Sequence, residues 1–181
     1  MSLAIKLAAP LALLTPFMIV GGAGAQTAPA GQAGSTAPVR TETVVYDNWV
    51  VTCRDRLEKG SKKTCSASMQ IKDSKSNNIV LVWQVGRNPA GEPTHVIRTP
   101  LGVRLKDGVQ VALGGGKPRK LDYASCSQQG CEAIAPFEDG LSKELAGAKE
   151  AVVSFTLANG QAINVTVPLN GVDKALPALK G

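Results

Sequence analysis

The sequence has a single histidine, His95, and only 4% of its residues are aromatic. A Ser-His-Asp or Cys-His catalytic arrangement would have to use that one imidazole. The neighbours Thr94, Val96 and Ile97 indicate an ordinary, partly exposed position on a strand. The scarcity of histidine therefore argues against nucleophilic catalysis, and we expect no catalytic residue, no cofactor and no enzymatic activity.

Motifs for metal, redox and phosphate chemistry are also missing. Structural zinc usually needs four Cys or His ligands at paired short spacings. The cysteines do not fit this pattern, because 11 residues separate Cys53 from Cys65 and four separate Cys126 from Cys131. The second gap is also too wide for the Cys-x-x-Cys motif of dithiol oxidoreductases. The glycine run at 114–116 lacks the spacing of a phosphate-binding loop. We therefore expect no metal site and interpret the glycine run as a simple loop.

The sequence lacks an apolar run long enough to cross a membrane. Lys6 precedes an apolar run of about 14 residues at 7–20, whereas a spanning helix needs about 20. Ala23-Gly24-Ala25 fits the small-x-small rule for a signal peptidase site, and no cysteine follows the run to carry a lipid anchor. We expect residues 1–25 to be a signal peptide cleaved after Ala25, which leaves a mature chain without a transmembrane segment. An uncleaved membrane anchor is the alternative.

The predicted export changes how the four cysteines are interpreted. In an oxidising compartment an even number of cysteines usually forms disulfides. Three pairings are possible, and sequence position favours Cys53 with Cys65 across a hairpin and Cys126 with Cys131 around a short polar turn. A loop of about a dozen residues closed in this way gains roughly 3 kcal/mol in the chain-entropy model.

Residues 49–70 predict a hairpin with one buried face. Side chains alternate between the faces of a strand, and the residues expected to share the buried face are Trp49, Val51, Cys53, Cys65, Ala67 and Met69. Antiparallel pairing with Cys53 opposite Cys65 places Trp49 against Met69. These two side chains are therefore the predicted core anchors beside a cross-strand disulfide.

The rest of the chain predicts an all-β fold. Residues 26–39 are small and polar apart from Val39 and predict a flexible linker, so the folded domain should span 40–181. The first hairpin is expected to consist of strands at 43–54 and 64–72. Further strands are expected at 79–85, 94–98, 109–113, 119–123, 132–134, 153–157 and 163–167, and the strand pattern resumes briefly at 103–105. About eight or nine short strands, with one or two short helices, are typical of a β-sandwich or a barrel.

Three local features refine this prediction. Residues 79–85 are nearly all apolar, as in a strand that is covered on both faces. In the last hairpin, a two-residue turn at Asn159-Gly160 would place the apolar sets on opposite faces, so a three-residue loop that pairs Phe155 with Ile163 is expected. Residues 141–148 predict a short amphipathic helix with Asp139 as its N-cap, and a helical turn should follow Gly171.

Positive charge is concentrated in the loop of the first hairpin. The formal net charge is +6, and +5 once Lys6 leaves with the signal peptide, which favours anionic surfaces in general over nucleic acid. The candidate contacts with an anionic surface are Arg54, Arg56, Lys59, Lys62 and Lys63. A solvated loop that keeps the hairpin end soluble is the alternative. Residues 117–120 would extend this patch only if the fold brings them close.

The order of these features resembles one protein family, the invasion-associated locus B (IalB) family. The residues that carry the resemblance are Trp49-x-Val51-x-Cys53, Cys65-x-x-x-Met69-Gln70, Pro100-Leu101-Gly102-Val103, Gly108-Val109, Cys126, Cys131, Leu141, Leu145, Gly171, Ala175, Leu176 and Leu179. The resemblance implies a small bacterial protein of the periplasm or cell surface with an immunoglobulin-like sandwich. It also implies a connection with host-cell, notably erythrocyte, invasion, and it carries no established ligand or catalytic residue.

Two binding functions are compatible with these observations. The first is an exported factor that supports envelope function or host association by binding an envelope or host-surface component, such as an anionic lipid, lipopolysaccharide or a protein. The second is a structural or chaperone-like periplasmic module whose exposed strand edge accepts a partner strand. An enzyme is the least favoured interpretation, because neither a nucleophile–base pair nor a metal set is visible.

Overall fold

The computed structural model describes residues 38–180, so the predicted signal peptide and residues 26–37 of the predicted linker lie outside the described residues. The described chain forms eleven strands in two sheets, together with two α-helices and two 3-10 turns. The predicted β-sandwich is confirmed, with eleven strands instead of eight or nine. Val39, which we assigned to the linker, is the first residue of the first strand.

The larger sheet has seven antiparallel strands. They are β1 (Val39–Tyr46), β2 (Trp49–Arg56), β3 (Thr64–Lys72), β4 (Ile79–Arg87), β5 (Pro93–Thr99), β8 (Tyr123–Ser127) and β9 (Gly130–Pro136). Their spatial order is β1-β2-β3-β4-β5-β9-β8. The first five strands therefore form a meander, and the two outer strands are β1 and β8.

The smaller sheet has four strands in the order β11-β10-β6-β7. They are β6 (Val109–Leu113), β7 (Arg119–Leu121), β10 (Glu150–Thr156) and β11 (Ala162–Pro168). The helices are α1 (Asp139–Gly147) and α2 (Val172–Ala175), and the 3-10 turns are Leu105–Asp107 and Pro177–Lys180. The core is formed by alternate apolar side chains of both sheets together with Leu145 of α1 and Val172 of α2.

The predicted first hairpin has the expected register. Cys53 lies opposite Cys65, and Val51 lies opposite Ala67. Trp49 is completely buried, and its ring centroid lies 6.3 Å from that of Trp83 on β4. The alternation of apolar residues therefore determined which face of this hairpin enters the core.

The prediction of a single strand at 43–54 is wrong, because this range is divided between two strands. A tight turn at Asp47 and Asn48 separates β1 from β2 and places Tyr46 opposite Trp49. Asp47 has φ 50°, a left-handed conformation that Asp and Asn tolerate better than most residues. The apolar residues on both sides of this turn concealed it in the sequence.

Strand β4 is covered on one face only, which corrects the prediction for residues 79–85. Leu81, Trp83 and Val85 are buried, whereas Val82 and Gln84 between them are partly exposed. One covered face is usual for a strand of an antiparallel sheet. The apolar composition of this stretch therefore overstated its burial.

Two other predicted strands are also wrong. Val103 forms only an isolated bridge with Leu157, and Leu105 begins a 3-10 turn. The predicted strand at 119–123 divides at Asp122, so that β7 belongs to the smaller sheet and β8 to the larger sheet. The chain thus crosses from one sheet to the other at this residue.

The C-terminal part follows the prediction more closely. Phe155 lies opposite Ile163, and Gly160 has φ +91° in the connecting loop. Helix α2 follows Gly171 as expected. The predicted N-cap of α1 is wrong, because Glu138 occupies the N-cap position without a side-chain hydrogen bond and Asp139 is the first helical residue.

Candidate functional sites

A cationic hairpin end lies where β2 passes into β3. We use this name for Arg54 and Arg56 of β2 together with the loop residues Lys59, Lys62 and Lys63. All five residues are exposed. The Cys53–Cys65 disulfide, with Cα atoms 4.0 Å apart, closes the base of this hairpin end. The exposed cations are therefore attached to a covalently closed and buried anchor.

Strand β1 adds charges of both signs beside the cationic hairpin end. Arg40 lies opposite Asp55, and Glu42 accepts ion pairs from Lys63 at 2.9 Å and Arg40 at 3.0 Å. The hydrogen bond and charge of Lys63, followed by the charge of Arg40, lower the pKa of Glu42 below its usual value. Sequence reasoning missed this contribution because it did not separate β1 from β2.

The charges at this end of the hairpin sum to a positive excess. The cations are Arg40, Arg54, Arg56, Lys59, Lys62 and Lys63, and the acidic residues are Glu42, Asp55 and Glu58. Six positive and three negative side chains leave an excess of three positive charges. This part of the described chain can therefore attract an anionic surface at long range.

The basic residues at 117–120 belong to a different site. Nη2 of Arg119 lies 2.6 and 2.8 Å from the two carboxylate oxygens of Glu144 on α1. Lys120 forms an ion pair of 2.8 Å with Asp122. Lys117, Arg119 and Lys120 all line a cavity of about 480 Å³. We call this space the inter-sheet cavity.

The inter-sheet cavity is bounded by both sheets and by α1. The larger sheet contributes His95, Ala135 and Pro136, and the smaller sheet contributes β7 together with Val111 and Leu113 of β6. Helix α1 contributes Leu141 and Glu144. The walls are mainly apolar, and the charged side chains that line the cavity are exposed.

His95 forms part of the wall of this cavity and is only 4% exposed, which corrects its predicted position as a partly exposed strand residue. Its ring centroid lies 6.2 Å from that of Trp83 and 6.0 Å from that of Phe137. Burial, followed by the positive charge of Arg119, lowers the pKa of His95 to about 4. The imidazole is therefore neutral at pH 7.

The buried face of His95 includes an unsatisfied polar atom. Its Nδ1 is sealed from solvent and has no hydrogen-bond partner among the described residues. A buried polar atom without a partner costs roughly 1–3 kcal/mol of stability. Sequence reasoning missed both this burial and the cavity, because strand alternation does not show what the second sheet places beside a side chain.

The second disulfide lies at the turn between β8 and β9. Cys126 and Cys131 face each other across this turn with Cα atoms 4.0 Å apart, and Cys131 is buried while Cys126 is exposed. Residues 38–180 contain no group of three or more His, Cys, Asp and Glu side chains that could hold a metal ion. In the same range, no helix has the length and hydropathy to span a bilayer.

Fold and cysteine pattern together define a class, that of β-sandwich proteins in which each disulfide joins neighbouring strands of one sheet. The sequence model of the invasion associated locus B (IalB) protein family matches residues 49–180. The chain belongs to this family.

A solved structure has the same fold. The crystal structure of invasion associated protein B from Bartonella henselae matches with a TM-score of 0.66 and 24% sequence identity, over 77% of this chain and 95% of that chain. A comparison with curated proteins finds no match.

Proposed function

We propose that this chain is an exported, non-enzymatic protein of the bacterial periplasm or cell surface that acts by binding an anionic envelope or host-surface component. The observation that carries this proposal is the excess of three positive charges around the covalently closed hairpin end. Two disulfides favour an oxidising compartment. The sequence signal at residues 1–25 and membership of the IalB family also support it.

The physical basis of the proposed binding is long-range attraction. Exposed Lys and Arg side chains near an anionic membrane each contribute about 1 kcal/mol, and the attraction decreases within a Debye length. Lys59 and Lys62 are exposed and lie in the loop between β2 and β3. Lys63 is less available, because it already forms an ion pair with Glu42.

The experiment compares two double charge reversals that have the same net charge. The test variant carries Lys59→Glu and Lys62→Glu. The control carries Lys72→Glu and Lys75→Glu at the other end of β3, where both lysines are exposed. The probes are phosphatidylcholine vesicles with and without phosphatidylglycerol, and purified lipopolysaccharide.

We expect the test variant to bind the anionic probes at least about tenfold more weakly than the control. The wild-type chain should show no preference for neutral vesicles, and added salt should weaken its binding. Equal binding by the two variants would show that the hairpin end is only a solvated loop.

The second candidate function is binding of a partner strand along β1. This eight-residue strand is an outer strand of the larger sheet, and Val39, Val44 and Val45 on it are about half exposed or more. An exposed strand edge can accept a strand from another protein. Mild crosslinking in the periplasm, with Val45→Lys as the blocking variant, tests this. Capture of one protein by the wild type, lost in the variant, would favour this function over surface binding.

A further inference from the structure

We propose that the inter-sheet cavity binds a small amphipathic molecule whose apolar part lies between the sheets and whose single anionic group, a carboxylate or a phosphate, lies beside Lys117 and Arg119. This proposal rests on the cavity alone. It is independent of the cationic hairpin end and can be tested separately from it.

Size and lining support an apolar ligand. The cavity volume of about 480 Å³ lies within the range of about 300–1,000 Å³ that is usual for small-molecule sites. Val111 of β6 and Leu121 of the neighbouring β7 form one apolar wall, and Leu141 of α1 contributes to another. Leu141 is only partly buried, so a ligand that covers it would remove further apolar surface from water.

The charged residues determine which end of the ligand stays near solvent. Three cations, Lys117, Arg119 and Lys120, line the cavity together with two acidic residues, Glu138 and Glu144. Lys120 already pairs with Asp122. Lys117 is exposed and has no ion pair within the described part of the chain, so its ammonium group is available to an anion.

Arg119 can contact a ligand while it keeps its protein partner. Only its Nη2 is engaged by Glu144, and a guanidinium has five N–H donors. Glu144 nevertheless competes with a ligand anion for the same positive charge. Removal of its negative charge should therefore strengthen binding, an effect that a purely structural role of this ion pair does not predict.

His95 belongs to the apolar part of the cavity and adds no charge to it. Its ring lines the cavity, and its Nδ1 has no hydrogen-bond partner in the described protein. A neutral imidazole has one donor and one acceptor nitrogen. Because Nδ1 is sealed from solvent, it does not open into the cavity, and the imidazole contributes a neutral part of the wall.

The test measures binding of ten-carbon probes to the purified, oxidised chain by isothermal titration calorimetry below their micellar concentrations. Decanoate and decyl phosphate present the two anionic groups. Decanol and decyltrimethylammonium are the neutral and cationic controls. We expect the anionic probes to bind, the stronger of the two to identify the preferred head group, and the cationic probe to bind at least tenfold more weakly.

Four variants locate the site. Lys117→Glu should weaken binding of the anionic probes about tenfold, and Glu144→Gln should strengthen it. Lys143→Glu, an exposed change on α1 outside the cavity, should leave binding unchanged. Leu141→Trp should block the cavity, with circular dichroism and the melting temperature as checks on folding.

Three results would overturn the proposal. One is the absence of binding by both anionic probes up to millimolar concentration. Another is equal binding of anionic and cationic probes. The third is an equal effect of Lys117→Glu and Lys143→Glu, which would indicate a general charge effect and not a site.

Discussion

The carbonyl oxygen of Tyr46 lies directly against the Cα of Gly171, so that a Cβ atom at position 171 would overlap it. Tyr46 is the last residue of β1, and Gly171 precedes α2 with φ 85°. The backbone N–H of Asn48 also donates a hydrogen bond to the carbonyl of Asn170, at 3.4 Å. The turn after β1 and the start of α2 are therefore packed backbone against backbone.

Substitution of Gly171 by Ala should be strongly destabilising. The left-handed conformation costs a non-glycine residue about 1–2 kcal/mol, and the overlap with Tyr46 forces a further backbone shift. We expect Gly171→Ala to reduce the free energy of unfolding by about 3 kcal/mol or more in urea denaturation. Gly102→Ala is the matched control, because Gly102 has the same φ of +85° with nothing within 4 Å. Equal losses in the two variants would refute the close approach as the cause.

The two disulfides should contribute unequally to stability. Cys53 and Cys65 are 12 residues apart and both buried, whereas Cys126 and Cys131 are five residues apart. The chain-entropy model gives about 3 kcal/mol for the longer loop and about 2 kcal/mol for the shorter one. We expect the Cys53→Ala/Cys65→Ala variant to melt several degrees below the Cys126→Ala/Cys131→Ala variant. The reverse order in calorimetry would contradict this prediction.

His95 should make stability depend on pH between about 6.5 and 4. Its pKa is lowered from 6.5 to about 4 in the folded chain, mainly by burial. The unfolded state therefore binds more protons in this range, and stability falls as the pH falls from 6.5 towards 4. At about 1.4 kcal/mol for each pKa unit, the loss is about 3 kcal/mol.

His95→Gln removes this titrating group, so the variant isolates its contribution. We would measure the unfolding free energies of wild type and variant at pH 7 and pH 4. Carboxylates contribute to both proteins and cancel in the difference. The wild type should lose about 3 kcal/mol more than the variant. Parallel pH profiles would show that folding does not lower the pKa of His95.

The proposed export of this chain predicts its N-terminus and the state of its cysteines. Material recovered from the periplasm or the medium should begin at Gln26, after removal of residues 1–25. It should contain no free thiol, because both cysteine pairs are disulfides in the structure. Intact-mass spectrometry with and without a thiol-reactive label checks both points. A labelled chain, or one that begins at Met1, would argue against export through this signal.

The registers of the first and the last hairpin were predicted correctly, because in both the alternation of apolar residues excludes a shift of one residue. In the first, the parity of Trp49 and Cys53 has to agree with the pairing of Cys53 and Cys65, and a single register satisfies both. In the last, only an odd number of loop residues places Phe155 and Ile163 on the same face, as observed. A shift of one residue would turn either apolar set towards solvent.

The missed strand boundaries have no comparable constraint in the sequence. Val44 and Val45 continue the apolar pattern up to the turn at Asp47, so the sequence showed one strand where there are two. The division at Asp122 arises because the segment before it pairs in the smaller sheet and the segment after it pairs in the larger sheet. These pairings involve residues that are distant in the sequence.

The two sites differ in how far sequence alone could predict them. The cationic hairpin end is continuous in sequence, so its exposed charges were visible before the fold was known. The inter-sheet cavity brings together His95, Arg119 and Glu144, which lie far apart in the chain and on different elements. No spacing rule relates such residues, so only the packing of the sheets and α1 shows them together.

The meander of β1 to β5 also has a consequence for the order of assembly. These strands are neighbours in sequence as well as in space, and such local pairings close quickly. Strand β6 pairs with β10, which comes later in the chain. A polypeptide that is synthesised from its N-terminus would therefore expose apolar side chains of the larger sheet to water until the last hairpin has been made. Fragments that end before residue 150 should consequently self-associate.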